Sequence, residues 1–196
     1  MAHIENVSDT ARWVAVYRAM ETARPDAIFR DPYAERLAGE LGVRIVEGMK
    51  RGRAMAWAMI VRTAVMDEMI LERIQQGTDT VLNLAAGLDA RAWRMSLPPE
   101  LHWIDVDLPA MSEYKANIMR DERPACRYEA IAADLTDAAV RGAHDHGPRH
   151  GSAPLHSLDD ADAMLSGQSL CIRVTENRVR TRCLHRAVHG HPAGGV

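Results

Sequence analysis

The sequence predicts an α/β protein: helices first, then a parallel sheet built from strand–helix–strand units. Two observations carry this expectation. Residues 8–76 space their apolar side chains at helical intervals, whereas residues 80–132 switch to short apolar runs separated by helical stretches. Glycine or proline stands at most of the changes of element. Strands and helices alternating at these lengths imply parallel pairing through right-handed crossovers.

Ser8 or Asp9 is placed to cap a first helix, with Trp13, Val16, Tyr17 and Met20 on one face and Pro25 past its end. Asp31-Pro32 suggests a cap and first-turn proline for a short second helix through Ala38, stopped by Gly39. Residues 54–76 form a long helix, with Trp57, Val61, Ala64, Val65 and Met69 near its packed stripe and Gly77 just beyond. Buried strands are expected at 80–84 (TVLNL) and 102–106 (HWIDV), and a weaker one at 128–132. Residues 89–95 and 109–120 supply the helices between them.

A chain of 196 residues buries one sizeable core, so a single domain is the default. Net charge is −3 with acids and bases interspersed, which gives no electrostatic footprint for nucleic acid or a membrane surface. No apolar run approaches a membrane span, and the first ten residues lack the layout of a signal peptide. Cys126, Cys171 and Cys183 are an odd, widely spaced set, which fits a reducing cytoplasm better than a disulfide framework.

The chain changes character near residue 140. Seven of the nine histidines and neither lysine fall after Val140, and hydrophobic periodicity fades. The expected division is therefore 1–140, helices and cofactor part, and 141–196, an aberrant, poorly ordered tail. Out-of-frame translation of GC-rich codons gives Arg, Ala, Gly, Pro and His in this way. Only residues 169–175 (SLCIRVT) suggest a strand there. His144, His146 and His150, and then Cys183, His185, His189 and His191, have zinc-ligand chemistry. A structural site wants four ligands held by ordered backbone, which these segments have little to provide, so biased composition is the favoured account and no metal is expected.

A nucleotide-type cofactor on a parallel sheet sits at the carboxyl ends of the strands. After the first strand, Asn83-Leu84-Ala85-Ala86-Gly87-Leu88-Asp89 supplies a turn of small residues that lets a ligand approach the backbone. After the second, Asp105 and Asp107 are two acids that can accept from ribose hydroxyls, and Asp107 lies roughly 20 residues past the glycine, as such units require. After the third, Asp134-Leu135 can frame an adenine, the acid accepting from its amine. Arg62 on the long helix can clamp a carboxylate. Each has an ordinary alternative. Asp107 with Pro109 is also a helix start, Asp134 another, and Arg62 a solvated helix residue. Ala85-Ala86-Gly87-Leu88-Asp89-Ala90 lacks the second and third glycines of a dinucleotide fingerprint. Pyrophosphate needs such a glycine-lined helix start and a methionine tail does not, so S-adenosyl-L-methionine is favoured over a nicotinamide cofactor.

The blocks Val7-Ser8-Asp9-Thr10-Ala11-Arg12-Trp13, Arg30-Asp31-Pro32-Tyr33, Val61 to Asp67, Leu82 to Arg94, Asp105 to Pro109 and Ala133-Asp134-Leu135 resemble, in order, the leucine carboxyl methyltransferase-like family. The resemblance covers most of residues 7–137. It implies a Rossmann-like class I methyltransferase sheet with N-terminal helices, lacking its last strands here. It implies further that Arg62 holds the cofactor's carboxylate, that Ala85 to Gly87 pass beneath the methionine part, that Asp107 grips the ribose, and that Asp134 and Leu135 frame the adenine. Ala85 stands where many members carry glycine. The family's Thr-Glu-Gly motif has its nearest echo in Thr175-Glu176-Asn177, displaced along the chain. The acceptor would be a carboxylate or hydroxyl of a small molecule or peptide, and a carboxylate needs no general base. No catalytic base and no oligomeric state is legible. Trp13, Tyr17 and Tyr33 can wall the site, or Trp13 and Tyr17 can be core.

Overall fold

A computed structural model describes residues 7–49, 52–136, 169–174 and 182–183. Three helices come first: α1 (Val7–Thr22), α2 (Ala34–Gly48) and α3 (Gly52–Gln75). Then follow β1 (Thr78–Leu84), α4 (Arg91–Arg94), β2 (His102–Asp107), α5 (Pro109–Met119) and β3 (Arg127–Ala132). Two later strands, β4 (Ser169–Val174) and β5 (Arg182–Cys183), complete a sheet of order β3-β2-β1-β4-β5. The first three strands pair in parallel, as expected of an α/β sheet, with Asn83 opposite Asp105 and Asp105 opposite Ala130. β4 runs antiparallel to β1, and β5 antiparallel to β4.

Because side chains alternate along a strand, this register sorts the sheet into two faces. Val81, Asn83, Trp103, Asp105 and Tyr128 share one face, on which α3, α4 and α5 pack through Ile70, Ala92, Met95 and Lys115. α1 and α2 lie on α5 and the post-β1 turn, burying Val16, Leu37 and Ala38 against Leu88, Met111 and Met119. The other face carries Leu82, Leu84, Ile104, Val106 and Ile131, joined by Ala133 and Leu135. Among the described residues no helix contributes to that second cluster.

Several local expectations are corrected by packing. In α1, Trp13, Val16 and Tyr17 are buried as expected, but Met20 is exposed. Ser8 and Asp9 lie inside the first turn rather than before it, where Asp9 still complements the helix dipole. Asp31 does turn the chain into α2, accepting from the Tyr33 N–H at 3.1 Å, yet the helix starts at Ala34. Gly39 breaks the helical geometry with φ +60°, but the helix resumes beyond it and runs to Gly48. The helix expected at 89–95 shrinks to α4. Gly77, with φ +94°, ends α3 as expected, its N–H bonding Ile74 O.

The largest correction concerns α3. Its buried residues are Ala56, Ile60, Thr63, Asp67 and Ile70, whereas Trp57 is 63% exposed and Val65 is exposed. Apolar periodicity counts against a face that carries a buried threonine and aspartate. Here those two are satisfied: the Thr63 hydroxyl donates to Met59 O, and Asp67 takes two arginines. Trp13 and Tyr17 resolve as core, stacked edge-to-face at 5.3 Å over Ile45, Ala56 and Ile60. No described helix is long and apolar enough to cross a membrane.

Candidate cofactor site

The parallel strands end along one edge, and backbone hydrogen bonds latch those ends together. Ala86 N–H donates to Val106 O at 3.2 Å, and Ala133 N–H to Asp107 O at 2.8 Å. The turn after β1 therefore sits on the end of β2, and the loop after β3 sits beside it. Ala85 (φ +51°) and Gly87 (φ +55°) both take the left-handed conformation that makes this turn tight. Glycine adopts it without strain, and alanine pays about 1–2 kcal/mol. This is the physical reason a glycine suits position 85. The Ala85 side chain is exposed, so the cost is conformational rather than a clash.

Asp105 and Asp107, equivalent in sequence, have different roles. Asp105 is buried and takes four donors: Asn83 Nδ2 at 2.9 Å, Trp103 Nε1 at 2.8 Å, Lys115 Nζ at 2.6 Å and Tyr128 OH at 2.9 Å. A carboxylate has about four lone-pair sites, so Asp105 is saturated and ties β1, β3 and α5 to β2. Asp107 is half-buried at the strand end and accepts from two backbone groups, Gly87 N–H at 2.5 Å and Leu108 N–H at 2.7 Å. It retains acceptor capacity, the property a pair of ribose hydroxyls needs. Desolvation raises its pKa despite those two hydrogen bonds. The N-cap of α5 is Leu108 and Pro109 follows in its first turn, so Asp107 is not the cap.

Arg62, half-buried on α3, lines a pocket with Arg18, Thr63, Asn83 and Arg91, above the end of β1. Burial, and then the charge of Arg91, lower its pKa, so an anion in this pocket would be favoured. Asp134 is exposed in the loop after β3, where its Oδ1 accepts from the Thr136 N–H and hydroxyl at 2.8 and 2.7 Å, holding a turn and no helix among the described residues. Those bonds lower its pKa. Leu135 packs on the helix-free face beside Leu84 and Val106. The structure thus bonds Gly87 directly to Asp107, sets Arg62 with Asn83, and brings Asp134 and Leu135 to the same edge.

A buried polar network under this edge was not legible in the sequence. Arg91 pairs with Asp67 at 2.6 Å and with Asp89 at 2.5 Å, Arg94 with Asp67 at 2.7 Å, and Arg18 with Asp31 at 2.8 Å. Burial alone would raise the Asp89 carboxyl, but Arg91, with help from Lys115, Arg18 and Arg94, overrides it and holds it well below the usual range. Burial likewise opposes the Arg91 charge, and the Asp89 and Asp67 carboxylates overcome it. The only hint in the sequence was the density of charge between Asp89 and Arg94, beside a turn that otherwise consists of small residues. A cavity of about 100 Å³ lies between α5 and the sheet, lined by Gly87, Asp107, Ser112, Lys115 and Tyr128 among others. Cofactor pockets run to about 300–1,000 Å³, so this cavity is too small to contain a nucleoside by itself. Among the described residues no cluster of His, Cys, Asp or Glu is arranged for a metal. The histidine-rich segments and Glu176 lie outside the described residues.

A family profile for leucine carboxyl methyltransferase matches residues 11–147, well over half of the chain. The chain belongs to the leucine carboxyl methyltransferase family. Relatives provisionally named S-adenosyl-L-methionine-dependent methyltransferases share this part. One from Streptomyces coelicolor is 36% identical over 150 residues, 69% of this chain and 53% of that protein. One from Mycobacterium marinum is 32% identical over 161 residues, 70% of this chain and 50% of that protein. The chain spans about half the length of the curated relatives it matches. As a leucine carboxyl methyltransferase family member it has the α/β fold with parallel strands that its sequence predicted.

Proposed function

We propose that this chain binds S-adenosyl-L-methionine and serves methyl transfer to an oxygen of a carboxylate or hydroxyl acceptor. The supporting observation is the Asp107 carboxylate at the end of β2, bonded to the Gly87 N–H of the post-β1 turn with acceptor capacity to spare. In this reading Arg62 faces the cofactor's carboxylate, Ala85 and Gly87 underlie its methionine part, Asp107 accepts from the ribose hydroxyls, and Asp134 and Leu135 flank the adenine. The donor set suits the ligand: an anion-favouring guanidinium, a glycine-bearing turn and an acid, with no glycine-lined phosphate cradle.

Bound S-adenosyl-L-methionine supplies a methyl group activated by its sulfonium. The protein's contribution is to hold and align the donor and exclude water, an effective-molarity effect. A carboxylate acceptor would need no base, and the described residues near the site are engaged in binding and structure. We take residues 1–140 as the cofactor-binding part and 141–196 as a tail outside that role. A cytoplasmic setting is the reading that the odd, widely spaced cysteines favour.

Calorimetry of the intact chain with S-adenosyl-L-methionine tests the reading. Saturable binding is expected, and Asp107→Ala should weaken it at least about tenfold through loss of charge-assisted hydrogen bonds. Equal affinity in the variant would remove the assignment. Absence of binding in the unaltered chain would favour the second reading, an inactive remnant.

A further inference from the structure

The last two strands bring two cysteines to one register position. β4 and β5 run antiparallel, with Cys171 directly opposite Cys183 and Ile172 opposite Arg182. Residues opposite one another on antiparallel strands share a face of the sheet. Their Cα atoms lie about 4.5 or 5.5 Å apart, according to the hydrogen-bond pattern. A disulfide spans Cα separations of about 4.4–6.8 Å, so either pattern admits the bond without backbone movement. Cys171 is also opposite Leu82 of β1, which places the pair on the helix-free face.

Cys126 is no competing partner. It stands just before β3, at the opposite edge of the sheet. Three strand spacings separate β3 from β4, roughly 14 Å, against a bridging limit of about 7 Å. Its thiol is buried in a cluster with Leu101 and Trp103, and burial pushes its pKa up to about 11. The thiolate is the reactive form, so a thiol kept protonated at neutral pH stays out of exchange. The odd set of three cysteines thus resolves into one opposed pair and one buried thiol.

We infer that Cys171 and Cys183 form a reversible disulfide that fastens β5, at the edge of the sheet, to β4. The oxidant is a small-molecule disulfide of the glutathione class. The thiolate of one cysteine attacks it, forming a mixed disulfide and releasing one glutathione thiolate. The thiolate of the other cysteine then attacks the sulfur of the first and releases the second glutathione. The protein loses two protons and two electrons, and one glutathione disulfide becomes two thiols. A reducing cytoplasm keeps the pair as thiols, and an oxidising shift closes it. Two paired positions join β5 to β4 among the described residues, so a covalent tie adds much to so short an edge strand. β4 in turn pairs with β1 as far as Leu84, where the post-β1 turn begins, so the tie bears on the strand that leads into the candidate site.

The test equilibrates the intact chain in glutathione buffers of rising oxidised fraction, followed by acid quenching, alkylation in denaturant and trypsin digestion. Mass spectrometry should find residues 150–173 joined to residues 183–186 with the loss of two hydrogens. Residues 121–127, which carry Cys126, should remain alkylated, and a non-reducing gel should show a single chain. The same equilibrium in urea is the reference. The folded chain should form the bond at least about tenfold more readily, because the register and not chain proximity holds the pair together. Linkage to Cys126, linkage between two chains, or no linkage in fully oxidising buffer would each overturn the inference. So would equal readiness in urea.

Discussion

The two faces of the sheet are stabilised by different physics. The helix-covered face combines Val81, Trp103 and Ile70 with a buried charge network that runs from Asp31 and Arg18 through Asp67, Arg91 and Asp89 to Asp105 and Lys115. The opposite face is an apolar cluster of Leu82, Leu84, Val106 and their neighbours, to which no described helix contributes. The charged face is the one that shapes the candidate site: Asn83, Asp105 and Arg91 sit beneath or beside the strand ends that carry Asp107 and the post-β1 turn. A buried ion pair adds little net stability over an apolar pair of the same size, yet breaking one partner is costly. Such a network therefore specifies geometry, and its loss should misplace the site as well as destabilise the fold.

The comparison breaks most sharply at Asp105. Asp105→Ala removes the shared acceptor of four donors and leaves Lys115 buried without its carboxylate, so a loss of about 3–5 kcal/mol is expected in a urea titration. A loss below about 1 kcal/mol, the range of surface pairs such as Arg44–Glu40, would show that the hub is not a structural centre. Next in size is the pair of faces on α3. Ile60→Ala should cost about 2–5 kcal/mol by leaving a cavity, whereas Trp57→Ala should stay within about 0.5 kcal/mol. The reverse order would restore the stripe that apolar periodicity suggested.

Acid titration probes the charged face separately. Asp89 has a folded-state pKa below its unfolded value, so it contributes stability above the unfolded pKa and loses it as pH falls through the folded one. Arg91→Met removes the main cause of that depression, so acid unfolding should move to higher pH; an unchanged midpoint would assign the depression elsewhere. The smallest effect is at the turn. Ala85→Gly relieves a left-handed alanine but loosens the unfolded chain, leaving a net gain of about 0.5–1 kcal/mol by thermal melting. A net loss would mean that the alanine methyl makes a favourable contact after all.

The sequence by itself determined the element order through β3, the parallel strands and the glycine turn, because each follows from local periodicity and from backbone limits at residues such as Gly77 and Gly87; it did not foresee β5 at the far edge of the sheet. It also marked Asp107, by its spacing from that turn, as one of two candidate acids. What the tertiary structure added is how differently Asp105 and Asp107 are surrounded: residues two apart on one strand share a face and differ only in their neighbours. Four donors from β1, β2, β3 and α5 saturate the first, while the second ends the strand beside Gly87. The buried face of α3 was hidden for a related reason. Asp67 counts as a surface residue until Arg91 and Arg94, far along the chain, arrive to pair with it. A polar side chain's place depends on partners that only folding brings near.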